Sequence, residues 1–231
     1  MSDEEAWVRI GSLDAVRVGS ERGAQSVVVL LHGLSMSERA LSVFAAPLGV
    51  RALFFFPRGP IAYGAGYSYW AVDEEARRAS LAAGPRDLEA HRPAGLEAAR
   101  AAFDEVMMEA RRIAAGRPVV GGGFSQGAMI ACDALFRRGP CFDALLAYSG
   151  SRVGGDARGA RTLEGLPALV SHGTLDDDLA FEAGDALRLE LAARGADVTW
   201  VPFEGGHEVP LLVWKKTRRF LERLQRATST K

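Results

Sequence analysis

Apolar residues in this chain fall into two patterns. Short, largely apolar runs occur at Val27 to Leu31, Ala52 to Phe56, Phe142 to Tyr148 and Ala168 to Ser171, with Asp143 and the closing Ser171 as the exceptions. Runs of this length and composition predict strands buried on both faces of a parallel sheet. A further β-branched pair, Val119-Val120, follows Pro118 and leads into three glycines, and it reads as another such strand. Asp197 to Phe203 predicts the last one. Between the runs, apolar positions recur at three- and four-residue intervals. Leu96, Ala99, Phe103, Val106, Met107 and Ile113 share one face of a helix over 94–115. Ala128 to Arg138 predicts a helix stopped by Gly139-Pro140, and Leu179 to Arg194 one stopped by Gly195. Ser37 is a candidate N-cap for a helix through about Leu48. A helix from about Val209 to Arg226 closes the chain, and residues 6–19, with Gly11-Ser12, predict an opening hairpin.

Strand and helix therefore alternate. That order implies an α/β fold, with a mostly parallel central sheet covered by helices on both faces. At 231 residues with no internal repeat or linker, residues 1–231 are expected to form one domain. Ligands in such sheets sit beyond the carboxyl ends of the strands. This draws attention to His32-Gly33-Leu34, Ser125-Gln126, Ser149-Gly150, Asp176 and His207. Residues 61–93 fit neither pattern; they hold Tyr63, Tyr67, Tyr69 and Trp70 followed by a charged patch.

Composition narrows the function classes. A formal net charge of −1 gives no electrostatic reason to expect nucleic acid or an anionic membrane as partner. No apolar run reaches membrane-spanning length and no secretory leader is visible, so integral membrane association is not expected and a cytoplasmic location is the default. Cys132 and Cys141 read as reduced core residues rather than a bridge.

Gly123-Phe-Ser-Gln-Gly127 carries the chemistry. It fits G-x-S-x-G and lies between a predicted strand and a predicted helix, the setting of a nucleophile elbow. A nucleotide-binding loop fits worse: position 126 is not glycine, and no Gly-Lys-Ser/Thr follows. A serine nucleophile needs a base, and the base an orienting group. Asp176 and His207 follow in the chain, each just past a strand, in the order Ser, Asp, His. His207 is the candidate base, preceded by Gly205-Gly206. His32 and His172 come directly off strands and are expected to brace loops, and His91 to lie on the surface. Asp177 and Asp178 are immediate rivals to Asp176. The backbone N–H groups of Gln126 and Leu34 are the candidate oxyanion donors.

Leu31-His-Gly-Leu, Gly122-Gly-Phe-Ser-Gln-Gly-Ala, His172-Gly-Thr-Leu-Asp and Gly205-Gly-His together resemble the carboxylesterase/phospholipase family, which includes bacterial carboxylesterases and acyl-protein thioesterases. The resemblance spans nearly the whole chain. It implies an α/β-hydrolase fold, hydrolysis of carboxylic esters or thioesters without cofactor or metal, and Ser125, Asp176 and His207 as triad with Leu34 and Gln126 as oxyanion donors. Three departures stand out. Ser35-Met36 replaces the Gly-Asp that often follows His-Gly-Leu. Asp177-Asp178-Leu179-Ala180 replaces a usual Pro-Val-Val-Pro. Tyr69-Trp70-Ala71-Val72-Asp73 occupies the place of a Trp-Phe-Asp.

The interval from about Gly150 to Leu166 is short and polar, so no large lid domain is expected and the cleft should be fairly open. Tyr63, Tyr67, Tyr69 and Trp70 either form an apolar wall of that cleft or pack a long loop onto the domain. The expected function is hydrolysis of small-molecule esters with short-to-medium acyl or aromatic groups, through an acyl-enzyme. An acyl thioesterase, of acyl-protein or acyl-CoA type, is the alternative; a non-catalytic binding protein on the same fold is a further one. Leu211, Leu212, Trp214 and Phe220 on the last helix face either the core or a second copy, leaving a homodimer open.

Overall fold

The computed structural model describes residues 5–155 and 161–229. Strands β1 (Glu5–Ile10) and β2 (Leu13–Val18) form the opening hairpin about Gly11, whose φ of 55° suits a residue without a Cβ. Strand β3 (Ser26–Leu31) follows. The expected single helix after it is two short pieces, α1 (Arg39–Ser42) and α2 (Ala45–Leu48). Pro47 explains the break: it has no N–H for the Val43 carbonyl, and its ring would collide with that carbonyl in a continuous helix. The Ser37 hydroxyl still accepts the Arg39 N–H (3.3 Å), but Glu38 holds the N-cap position.

After strand β4 (Ala52–Pro57), the segment that reads as irregular contains a small hairpin, β5 (Ile61–Tyr63) and β6 (Gly66–Ser68), and helix α3 (Glu74–Ala82). The Asp73 carboxylate caps α3 by accepting the Ala76 N–H (2.9 Å), with Glu74 and Glu75 in the first turn. Asp73-Glu74-Glu75 was the signal present in the sequence. The chain continues through α4 (Leu96–Ala114), β7 (Val119–Phe124), α5 (Gln126–Arg138), β8 (Ala144–Tyr148), β9 (Pro167–Gly173), α6 (Phe181–Ala193), β10 (Asp197–Phe203) and α7 (Leu211–Ser229). The Gly150–Leu166 interval has no helix or strand among its described residues; 156–160 lie outside them.

The large sheet has the order β1-β2-β4-β3-β7-β8-β9-β10; β2 is antiparallel to both of its neighbours, β1 and β4, and the six strands from β4 to β10 in this order are parallel to one another. The apolar runs fill both of its faces. Val27, Val29 and Leu31 of β3 join one core cluster with α4 and α5, while Val28 and Leu30 join the other with α7. Phe55 and Phe54 divide in the same way on β4, as do Leu145 and Leu146 on β8. This alternation is why the strands read as unbroken apolar runs. Trp214 and Phe220 of α7 are buried, whereas Leu211 is 70% exposed. Cys132 and Cys141 are unbridged. No helix among the described residues is long and apolar enough to cross a membrane.

Candidate active site

The parallel strands end on one edge of the sheet, and four of those ends carry the candidate residues. Ser125 stands between β7 and α5 with φ 52° and ψ −115°, a conformation that L residues rarely adopt. The surrounding packing over-determines it. The Ser125 N–H donates to Tyr148 O (2.9 Å), and Gly123 is paired with Leu31 in the ladder. A Cβ on either Gly123 or Gly127 would collide with the Leu31 carbonyl oxygen. Both flanking glycines therefore face a single atom of β3, and helix α5 can start immediately after the strand.

The loop after β10 delivers His207 to this serine. Its Nε2 lies 2.9 Å from Ser125 Oγ, and its Nδ1 lies 2.7 Å from Asp176 Oδ2. With Nδ1–H donating to the carboxylate, Nε2 is left to accept from the hydroxyl. The Phe124 ring lies 4.7 Å from the imidazole, centroid to centroid. Gly205 and Gly206 need no left-handed backbone here. Instead Gly173, at the end of β9, makes room, since a Cβ on it would strike the carbonyls of both. The Leu175 N–H donates to Gly205 O (2.9 Å), tying the Asp176 loop to the His207 loop.

Asp176 is the member of the acidic run that meets His207. Its Oδ1 accepts the backbone N–H groups of Asp178 (3.0 Å) and Leu179 (2.8 Å). Its Oδ2 also lies 3.3 Å from His172 Nε2, a second imidazole that the sequence reading assigned only to bracing. Burial raises the pKa of this carboxyl, but the bonds from His172, His207 and Leu179 outweigh it and hold Asp176 well below the usual carboxylate range. Asp177 is exposed, and Asp178 pairs with Arg77 (2.9 Å) and Arg86 instead. His32 braces two loops: its Nδ1–H donates to Gly33 O (2.7 Å), and its Nε2 accepts the Gly59 N–H (2.9 Å). His91, expected on the surface, is exposed but stands on the wall of the cavity beside Ser125.

Gln126 is the first residue of α5, so its N–H has no acceptor within the helix. Leu34 lines the same cavity. Ser35, in place of the common glycine, adopts φ 61°. Its N–H donates to Tyr67 O (3.0 Å), and the Tyr67 N–H donates to Met36 O (2.9 Å). The β5–β6 hairpin is thus strapped across the Leu34 loop. The strap requires Gly66, whose Cβ would overlap the Ser35 and Met36 carbonyls.

A cavity of about 300 Å³ opens beside Ser125; apolar Leu34, Trp70, Leu88 and Met129 and charged Asp73, Arg77, Arg86 and Asp178 are among the residues that line it. Of the four aromatic candidates, Trp70 lines it. Tyr69 packs the loop onto the domain: its hydroxyl accepts the His32 N–H (3.3 Å) and donates to Pro57 O (2.8 Å). Tyr67 sits under the Arg58 guanidinium, and the Tyr63 hydroxyl bonds Glu74. The Gln126 side chain, not considered in the sequence, clamps this segment. Its Oε1 accepts the Tyr69 N–H (2.9 Å) and its Nε2 donates to Ser68 Oγ (2.9 Å).

The sheet order and the strand–elbow–helix unit define an α/β-hydrolase fold. Solved structures bear this out across almost the full chain. Esterase PE8 is 24% identical over 96% of this chain and 98% of its own, with a TM-score of 0.72. The Bacillus cereus carboxylesterase is 18% identical over 92% and 94%, at 0.73. A carboxylesterase from Mesorhizobium loti is 19% identical over 94% and 98%, at 0.74. No protein-family model and no curated protein sequence matches the chain.

Proposed function

We propose that the protein is a serine hydrolase that cleaves carboxylic esters with short-to-medium acyl or aromatic groups. The observation that carries this reading is the continuous chain from Ser125 Oγ to His207 at 2.9 Å and from His207 to Asp176 at 2.7 Å. Ser125 Oγ attacks the ester carbonyl carbon while its proton passes to His207 Nε2. Asp176 holds the ring tautomer and stabilises the imidazolium. The tetrahedral oxyanion meets the N–H groups of Gln126 and Leu34, each donor of this kind contributing about 3–4 kcal/mol. On collapse, the C–O bond to the alcohol breaks and His207 returns the proton to the departing oxygen. Water then attacks the acyl-serine by the same route, releasing the acid and restoring the Ser125 hydroxyl.

The cavity of about 300 Å³, with Leu34, Trp70, Leu88 and Met129 in its lining, offers a small ester an apolar seat beside Ser125. A fluorophosphonate probe tests the reading. Ser125 should be labelled in the folded protein, and short p-nitrophenyl esters should turn over faster than acyl-CoA analogues. Faster acyl-CoA cleavage would make the protein a thioesterase; absence of labelling and of turnover would leave a binding protein on a hydrolase fold.

A further inference from the structure

We propose that His172 is a positioning residue of the reaction, its Nε2–H holding in place the Asp176 oxygen that orients His207. This rests on the hydrolase reading above and adds a fourth side chain to the three that carry it. His172 lies in β9 and is fully buried. Its Nε2 lies 3.1 Å from Leu179 O and 3.3 Å from Asp176 Oδ2. A carbonyl oxygen only accepts, and so does a carboxylate held ionised. The ring proton therefore sits on Nε2, shared between the two oxygens.

Nδ1 is then the bare nitrogen; it is buried and has no hydrogen-bond partner among the described residues. Helix α6 fixes the ring in this sense. A Cβ on Gly184 would overlap Nδ1, and the Phe181 ring stands nearly perpendicular to the imidazole, 6.2 Å away between centroids. Turning the ring over would carry Nε2 away from both oxygens.

Bracing the loop needs only the Leu179 bond. An imidazole is a costly way to make it, because the other nitrogen stays unmet in the interior. The contact with Asp176 gives the ring a second task. Asp176 Oδ1 is anchored by the N–H groups of Asp178 (3.0 Å) and Leu179 (2.8 Å), and the carboxylate can still pivot about it. Oδ2 meets two imidazoles, His207 Nδ1 at 2.7 Å and His172 Nε2 at 3.3 Å. His207 takes and returns a proton in each half of the reaction, whereas the His172 N–H is a donor throughout. It keeps Oδ2 in place and its negative charge intact while the imidazolium forms, so that the new proton stays on His207.

Two variants of equal length separate this role from packing. His172→Gln puts an amide N–H where Nε2 stood; His172→Met puts a methyl group there. On a short p-nitrophenyl ester, kcat should fall by roughly tenfold or more in His172→Met at nearly constant KM, and His172→Gln should recover most of the loss. In an Asp176→Asn background, His172→Met should cost roughly threefold at most, because the carboxylate it serves is gone. Rates are referred to the Ser125 sites that a fluorophosphonate titrates, so that loss of folded protein is not counted as loss of turnover. If His172→Met does not fold, His172→Phe, which keeps a ring without a donor, takes its place. An unchanged kcat in His172→Met overturns the proposal. An equal fall in His172→Gln, or a fall of the same size in the Asp176→Asn background, does so too. If the parent protein cleaves no ester and Ser125 takes no label, the hydrolase reading itself has failed, and this one falls with it.

Discussion

Gly127 lies so close to Leu31 that a single methyl group on it would overlap the Leu31 carbonyl oxygen. The start of helix α5, and with it the angle at which Ser125 leaves the sheet, is set by that contact. Gly127→Ala should cost about 1–3 kcal/mol through overpacking. It should also slow fluorophosphonate labelling of Ser125, because relief of the clash displaces the elbow. Urea unfolding and labelling rates measure the two effects; a variant normal in both would show that the close approach is not needed.

Removing the hydroxyl or the base should abolish most turnover while the fold survives. Ser125→Ala or His207→Ala is expected to lower kcat by roughly 10⁴-fold or more, and the double variant should be no worse than the single ones. Asp176→Asn leaves the shape intact but favours the wrong imidazole tautomer, for a loss of about 10⁴-fold. Steady-state kinetics on a short p-nitrophenyl ester, beside circular dichroism, decides the matter. Independent, additive losses would mean that the three do not act as a unit.

Gln126 separates backbone from side-chain roles. Gln126→Ala keeps the N–H that the proposed mechanism gives to the oxyanion but releases Tyr69 and Ser68, and so loosens the segment bearing Trp70. The buried bonds lost should cost about 1–3 kcal/mol of stability. KM for an ester that fills the cavity should rise by more than kcat falls. A large fall in kcat at constant KM would place the side chain in the chemistry instead.

Stability should fall on mild acidification. Burial lowers the His32 pKa to about 4, against a smaller opposing pull from the bond to Gly33 O. Unfolded imidazole titrates near ~6.5, so below that pH the unfolded chain binds the extra proton. The stabilisation is complete above ~6.5 and is lost as pH drops toward 4, for about 3 kcal/mol in all. His91 titrates in the same direction. Asp176 acts in a lower window: its depressed pKa adds stability above the unfolded value of ~3.9, lost only on further acidification. Urea midpoints at pH 7.5 and 4.5 should differ less in His32→Gln than in the parent protein. An identical difference in both would rule out His32 as the source.

What was legible in the sequence follows from how local each signal is. Leu30 and Leu31 enter opposite core clusters, and a strand buried on both faces can only be written as an apolar run. The elbow was legible because the glycines that approach Leu31 stand two residues on either side of the serine. The split at Pro47 had its cause in the sequence, the conflict between the proline ring and the Val43 carbonyl. The cavity wall was not legible. Arg77 and Arg86 meet Asp178 about a hundred residues away, and Tyr67 meets Ser35 through backbone atoms that no side-chain pattern reveals. His172 showed its strand but not that its ring reaches Asp176, since that depends on how the loop after β9 turns back.

The excursion between β4 and α4 supplies Trp70, Leu88 and both arginines of the wall, and it straps the Leu34 loop through Tyr67. Ser125, Asp176 and His207 come from elsewhere, at the tips of β7, β9 and β10. The three groups assigned to the proposed hydrolysis and much of the cavity wall thereby lie on separate stretches of chain. Under that proposal, exchanging this one cassette for that of another protein of like architecture would re-tune which esters are admitted while the three reacting groups stay in place.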